Sequence, residues 1–204
     1  MRISDGYPEI TAALDRTYIG SYFQSRGVSQ ETFDLFGLGT IPTDPRAGVP
    51  VPLRGTPAFP ITDADGNILS YACRTGTAET KYYSLPYRKA GVLFGLYQAY
   101  PSILSTKTVY ITEGYFDALV GFSFGVTNIV AIMGASIGVE QVVMLASMAD
   151  KFIMIPDSDK VGLRSLTKNR KLISSLFPDI TIDERYVYPA KDFAEYLLEK
   201  AKNV

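Results

Sequence analysis

Four carboxylates stand where two short apolar runs end. Val-Tyr-Ile-Thr at 109–112 leads directly into Glu113-Gly114-Tyr115-Phe116-Asp117, and Phe-Ile-Met-Ile at 152–155 leads into Pro156-Asp157-Ser158-Asp159. Acids at the ends of two strands of one sheet would project toward a common rim if the strands are neighbours. Asp117, one helical turn beyond Glu113, would back up the same site. Clustered carboxylates repel one another, and that cost is normally offset by a divalent cation or by shifted pKa values. Singly, each has a plainer explanation: Glu113 suits the positive end of a following helix, and Asp157 and Asp159 suit a turn and an N-cap. Capping alone does not require both motifs at strand ends of one sheet.

The remaining side chains narrow the chemistry. The 204 residues include no histidine and a single cysteine, Cys73. That excludes Ser-His-Asp and Cys-His catalysis, His- or Cys-ligated zinc, and intrachain disulfides. A metal here needs carboxylate oxygens, which suit magnesium, manganese or calcium. The net charge of −1 carries no global nucleic-acid signature, so any such contact must be local. Residues 74–89 offer one basic stretch, with Arg74, Lys81, Arg88 and Lys89 against Glu79 alone. A solvated face is its plainer reading. Tyr82 and Tyr83 read as packing residues and are left out of the site.

The elements that must position these groups fall into two halves. With 47% apolar and 20% charged residues the chain has the composition of a folded globular protein. From about residue 106 onward, near-continuous apolar strands at 109–112, 129–133, 152–155 and 180–182 alternate with amphipathic helices. That pattern predicts an α/β domain with a parallel sheet flanked by helices over residues 106–204. Residues 1–105 read as a smaller mixed α+β subdomain. It has a helix over 18–36 with Ser29 as an internal N-cap candidate, a proline-rich stretch over 42–60, and a hairpin turning at Asp63-Ala64-Asp65-Gly66. The uncharged run over 118–139 is interrupted by turn residues and reads as helix, turn, strand and loop, so no membrane span is expected. With no apolar leader in the first residues, the chain is expected to be soluble and to occupy a reducing compartment.

Glu-Gly-Tyr-Phe-Asp after one strand and Asp-Ser-Asp after another resemble the Toprim domain, a Rossmann-like parallel-sheet domain. Outside it, YFQSRGVSQETFDLFGLGTIP, FPITDADGNILSYACR and KYYSLPYRKAGVLFGLYQA resemble the entry helix, hairpin and connecting stretch of the bacterial and phage DnaG-type primase catalytic core. The resemblance covers about residues 18–198. It implies a DNA-templated RNA polymerase that makes short RNA primers on single-stranded DNA from ribonucleoside triphosphates. It implies Asp157 and Asp159 as ligands of Mg²⁺ or Mn²⁺, Glu113 as a ligand or base-like residue, Asp117 and Gly114 in support, and Asp192 as a further metal ligand. Arg74, Lys81 and Lys89 would face template and nucleotide phosphates. A replicative helicase and a separate zinc-binding module are the implied partners, in the cytoplasm at the replication fork.

The chain departs from that pattern in several places. The family's third acidic motif is here Lys191-Asp192-Phe193-Ala194-Glu195, so a third ion would bind weakly or use Glu195. Ala72 and Cys73 replace glycines before Arg74, which would narrow the approach to phosphate. No Cys/His zinc module or C-terminal helical subdomain falls within the sequence, which predicts an excised core or a small phage-type primase with poor start selectivity by itself. Two rivals stay open: another Toprim nuclease, and a non-catalytic single-strand binding module.

Overall fold

A hairpin signal at 63–66 and a strand–helix rhythm after 106 call for two different sheets, and both are present. In a computed structural model of the chain, residues 8–44, 53–75 and 81–202 are described. Glu79 and the prolines within 45–52 lie outside them. The chain divides into two compact units, Met1–Arg88 and Lys89–Val204.

The first unit holds α1 (Pro8–Ala13), α2 (Tyr22–Ser25), α3 (Gln30–Leu35) and the strands β1 (Gly39–Thr40), β2 (Pro57–Thr62), β3 (Ile68–Arg74) and β4 (Tyr82–Ser84). The strands form an antiparallel sheet in the order β1-β2-β3-β4. Asp63 closes the β2–β3 turn by accepting the amides of Asp65 and Asn67. The helix expected over 18–36 is two short helices. Gly27, at φ 80°, breaks the run, and Ser29 starts α3 by accepting the amide of Thr32. Fully buried Phe23, Phe33 and Phe59 meet edge to face beneath the sheet.

The second unit adds α4 (Leu96–Thr106), β5 (Thr108–Thr112), α5 (Tyr115–Ser123), β6 (Ile129–Ala131), α6 (Val139–Ala146), β7 (Lys151–Met154), α7 (Lys160–Leu176), β8 (Thr181–Glu184) and α8 (Phe193–Lys202). Its sheet is wholly parallel in the order β6-β5-β7-β8. The expected 106–204 domain therefore starts earlier, at Lys89. The reason is physical: Phe94 exchanges both backbone hydrogen bonds with Ala131 at 3.0 Å, extending the β6 edge, and α4 follows directly. At the other edge, β8 is short and acidic, with Asp183 paired to Lys151 and Glu184 to Arg170. α5 is apolar apart from Asp117 and buried along Tyr115–Phe122. Among the described residues no helix is long and apolar enough to cross a membrane.

Candidate functional site

Register decides which side chains meet. β5 pairs with β7 so that Ile111 lies opposite Met154, and Ile155 extends the ladder by donating to the Ile111 carbonyl at 2.9 Å. The two neighbouring strands therefore release Glu113 and Asp157 side by side at their carboxyl ends. Glu113 is half-buried, and its pKa is pushed up to about 7. Burial is the largest cause, followed by the negative charges of Asp157, Asp159 and Asp117; a hydrogen bond from the Asp157 backbone pulls the other way.

Asp159 is the N-cap of α7. Its Oδ1 accepts the amides of Val161 and Gly162, each at 2.8 Å. The capping explanation for this residue is thus true, and it leaves the rest of the carboxylate at the exposed rim. Asp157 is half-buried. The amide of Ser158, between the two aspartates, donates to the Lys191 carbonyl at 2.8 Å and draws the third acidic segment to the same loop.

There Asp192 caps α8, accepting the Glu195 amide at 2.9 Å, and Glu195 reaches back to the Lys191 amide at 2.6 Å. Each of these acids commits one oxygen to starting the helix. Asp117 lies deeper, 5% exposed. Its Oδ1 accepts the Ala194 amide and its Oδ2 the Gly114 amide, so it joins the starts of α8 and α5. Burial foremost, and then the charge of Asp192, push its pKa up to about 7 against the help of those two amides. Gly114 has ordinary extended backbone, and what it supplies is room: a β-carbon there would lie 2.8 Å from Asp117 Oδ2.

A basic group stands at the same end of the sheet. The Lys89 ammonium donates to the Met133 carbonyl at 2.7 Å, in the loop beyond β6. Arg74 and Lys81 belong to the first unit: Arg74 ends β3 with its guanidinium 5.0 Å from the centre of the Tyr82 ring, and Lys81 is exposed before β4. Tyr82 packs edge to face on Phe59, as a packing residue should. Cys73 is fully buried, its thiol pushed up to about 11 by burial, so it faces core rather than phosphate.

Three contributors were not apparent from the sequence. Ser165 and Asn169 lie on the buried face of α7 with Leu166 and Ile173. Ser165 donates to the Ala135 carbonyl, and Asn169 accepts the Ile137 amide at 3.1 Å, so both hold the loop after β6. The readable signal was an asparagine in the middle of an apolar helical stripe. Gly162 is the third, set against the backbone of Asp157.

The arrangement is a rim of carboxylates with the Lys89 ammonium at the same end of the sheet. Among the described residues no three acidic side chains converge into a closed metal cage. An all-oxygen donor set of few carboxylates fits a hard divalent ion whose shell is completed by water or phosphate oxygens.

Known proteins resemble the chain in sequence and in fold. Residues 110–197 match the Toprim-like family. A DNA primase of Borreliella burgdorferi is 28% identical over 181 residues, covering 71% of this chain and 34% of that protein. One from Halalkalibacterium halodurans is 33% identical over 125 residues, covering 59% of this chain and 21% of that protein. The chain thus spans about a third or less of the length of these two relatives. Among solved structures, a DnaG primase catalytic domain bound to single-stranded DNA superimposes with a TM-score of 0.81 at 18% identity, over 99% of this chain and 76% of that one. The Aquifex aeolicus primase, solved with its zinc-binding and RNA polymerase domains, gives 0.78 at 24% identity, over 99% and 57%. The Toprim-like match falls within the parallel-sheet unit. In sequence the chain is similar to part of several DNA primases, and in fold to DnaG catalytic cores.

Proposed function

We propose that the chain is the catalytic core of a DNA primase, a DNA-templated RNA polymerase that makes short RNA primers on single-stranded DNA. The observation that carries this reading is the pairing of β5 with β7, which sets Glu113 beside the Asp157–Asp159 loop. Asp157 and Asp159 would hold Mg²⁺ or Mn²⁺, with Glu113 beside them and Asp192 as a weaker outlying ligand. When bound, such an ion neutralises charge on the attacking and leaving oxygens of an in-line phosphoryl displacement.

The protein's own groups do the rest. Glu113, with a pKa near the working pH, is suited to take the proton from a primer 3′-hydroxyl. Lys89 meets nucleotide phosphate at the sheet end, while Arg74 and Lys81 hold template backbone. Asp117 and Gly114 fix the start of α5, directly after Glu113. Phosphate contacts give no base reading, so a zinc-containing partner module and a replicative helicase fit as companions at a cytoplasmic replication fork in a bacterium or phage-infected cell.

Incubation with single-stranded DNA, four ribonucleotides and Mg²⁺ or Mn²⁺ tests the reading. Labelled oligoribonucleotides are expected. Shortened DNA would instead identify a nuclease, and tight binding without product a non-catalytic module.

A further inference from the structure

Gly162 touches both aspartates of the rim. Its amide donates to Asp159 Oδ1 at 2.8 Å. Its other side lies against Asp157: a β-carbon at 162 would stand 2.9 Å from the Asp157 nitrogen, 3.0 Å from its carbonyl carbon, and closer still to its carbonyl oxygen. These are backbone atoms, which cannot rotate away as a side-chain tip does. Gly162 is not among the glycines with positive φ, so what the position demands is space.

We infer that Gly162 is a positioning residue for the acid rim: the missing side chain at 162 sets where Asp157 stands relative to Asp159. α7 is held along its length by buried Leu166 and Ile173 and by the hydrogen bonds of Ser165 and Asn169. The Asp157 segment is a loop, tied by the Ile155 and Ser158 amides. An added methyl group therefore displaces the loop and leaves the helix in place. The effect on metal binding rests on the functional reading above; the effect on the loop does not.

The test compares Gly162→Ala with Gly121→Ala, each read by amide NMR spectra, thermal melting and Mn²⁺ titration. Gly121 is also enclosed, but by side chains, its would-be β-carbon 2.9 Å from Ile129 Cδ1, and it lies in α5 away from both aspartates. Gly162→Ala is expected to melt cooperatively, to shift the amides of Asp157 and Ser158, and to bind Mn²⁺ about 10–100-fold more weakly, the range seen when support for metal ligands is lost. Gly121→Ala should keep the parent's Mn²⁺ affinity. Unmoved Asp157 and Ser158 amides overturn the inference, as does unchanged Mn²⁺ affinity in a chain whose parent binds the ion. Loss of the fold in Gly162→Ala also overturns it, because the strain would then have entered α7 and the core. A parent that binds no Mn²⁺ sinks the metal reading instead, and the amide positions then decide the glycine's role.

Discussion

Asp117 Oδ1 accepts the backbone amide of Ala194 at 3.0 Å, across 77 residues of sequence, and so pins the start of α8 to α5. The same carboxylate takes the Gly114 amide on its other oxygen. An asparagine can accept one of these amides but turns its own NH₂ toward the second. Asp117→Asn should therefore destabilise the chain by about 1–3 kcal/mol, the cost of a buried donor left unpaired.

That loss should depend on pH. The folded-state pKa of Asp117 is about 7, above the ordinary 3.8, so the folded chain binds this proton more tightly than the unfolded one. Stability from this source is complete below about pH 4 and is lost as the pH rises through about 7. The parent's advantage over Asp117→Asn should narrow across that window. Urea unfolding of both chains between about pH 4 and pH 8 measures it, and a gap that does not change with pH would refute the buried-acid origin.

Replacing Asp157 and Asp159 together by asparagine should abolish primer synthesis while the fold persists. Asparagine is as good an N-cap as aspartate, so the double variant keeps the start of α7. Only the charge that would hold an ion is removed. A loss of at least about 100-fold is expected, at or above the upper end for outlying support residues. Extension assays read beside circular dichroism check this, and parent-like synthesis would move the metal site elsewhere.

Metal affinity should rise with pH through about 7. Below that value Glu113 holds a proton that an incoming cation must displace. Glu113→Gln should flatten the pH dependence of Mn²⁺ binding. If calorimetry finds the same slope in parent and variant, Glu113 does not sense the ion.

Single-strand binding should weaken with salt through few contacts. Neutralising Arg74, Lys81 or Lys89 should each lower the slope of log affinity against log salt, by roughly 0.7 per contact for single strands. Lys89→Ala also gives up the bond to Met133. Slopes equal to the parent's in all three variants would place the template on another face.

The strands of the second unit were legible because parallel strands covered by helices are apolar on both faces: Val109, Ile111, Phe152 and Met154 are buried on one, and Tyr110 and Ile153 are half-buried on the other. The helix α4 was not. Its N-cap is Gly95 in the left-handed region, it carries Pro101 inside, and it exposes Tyr97 and Tyr100, so neither cap nor stripe announces it. Glu113, Asp157 and Asp159 were readable from their places after apolar runs. That β5 and β7 are neighbours was not, since strand order comes from packing. Nor could sequence tell that Asp117 bonds Ala194: a backbone amide has no identity in the sequence, and the alanine that weakens the third acidic motif still offers its N–H.

The strand order has a last consequence, for behaviour in a crowded solution. An open sheet edge is a template on which another chain can lay a strand. Here the β6 edge is occupied by Phe94, which takes the two backbone bonds at Ala131. The β8 edge is only Thr181–Glu184, and its two acids already grip Lys151 and Arg170 of the same chain. A second copy arriving there would set carboxylate against carboxylate. The sheet that carries the rim thus has one edge partly covered by Phe94 and the other short and charged, two features that disfavour edge-to-edge pairing.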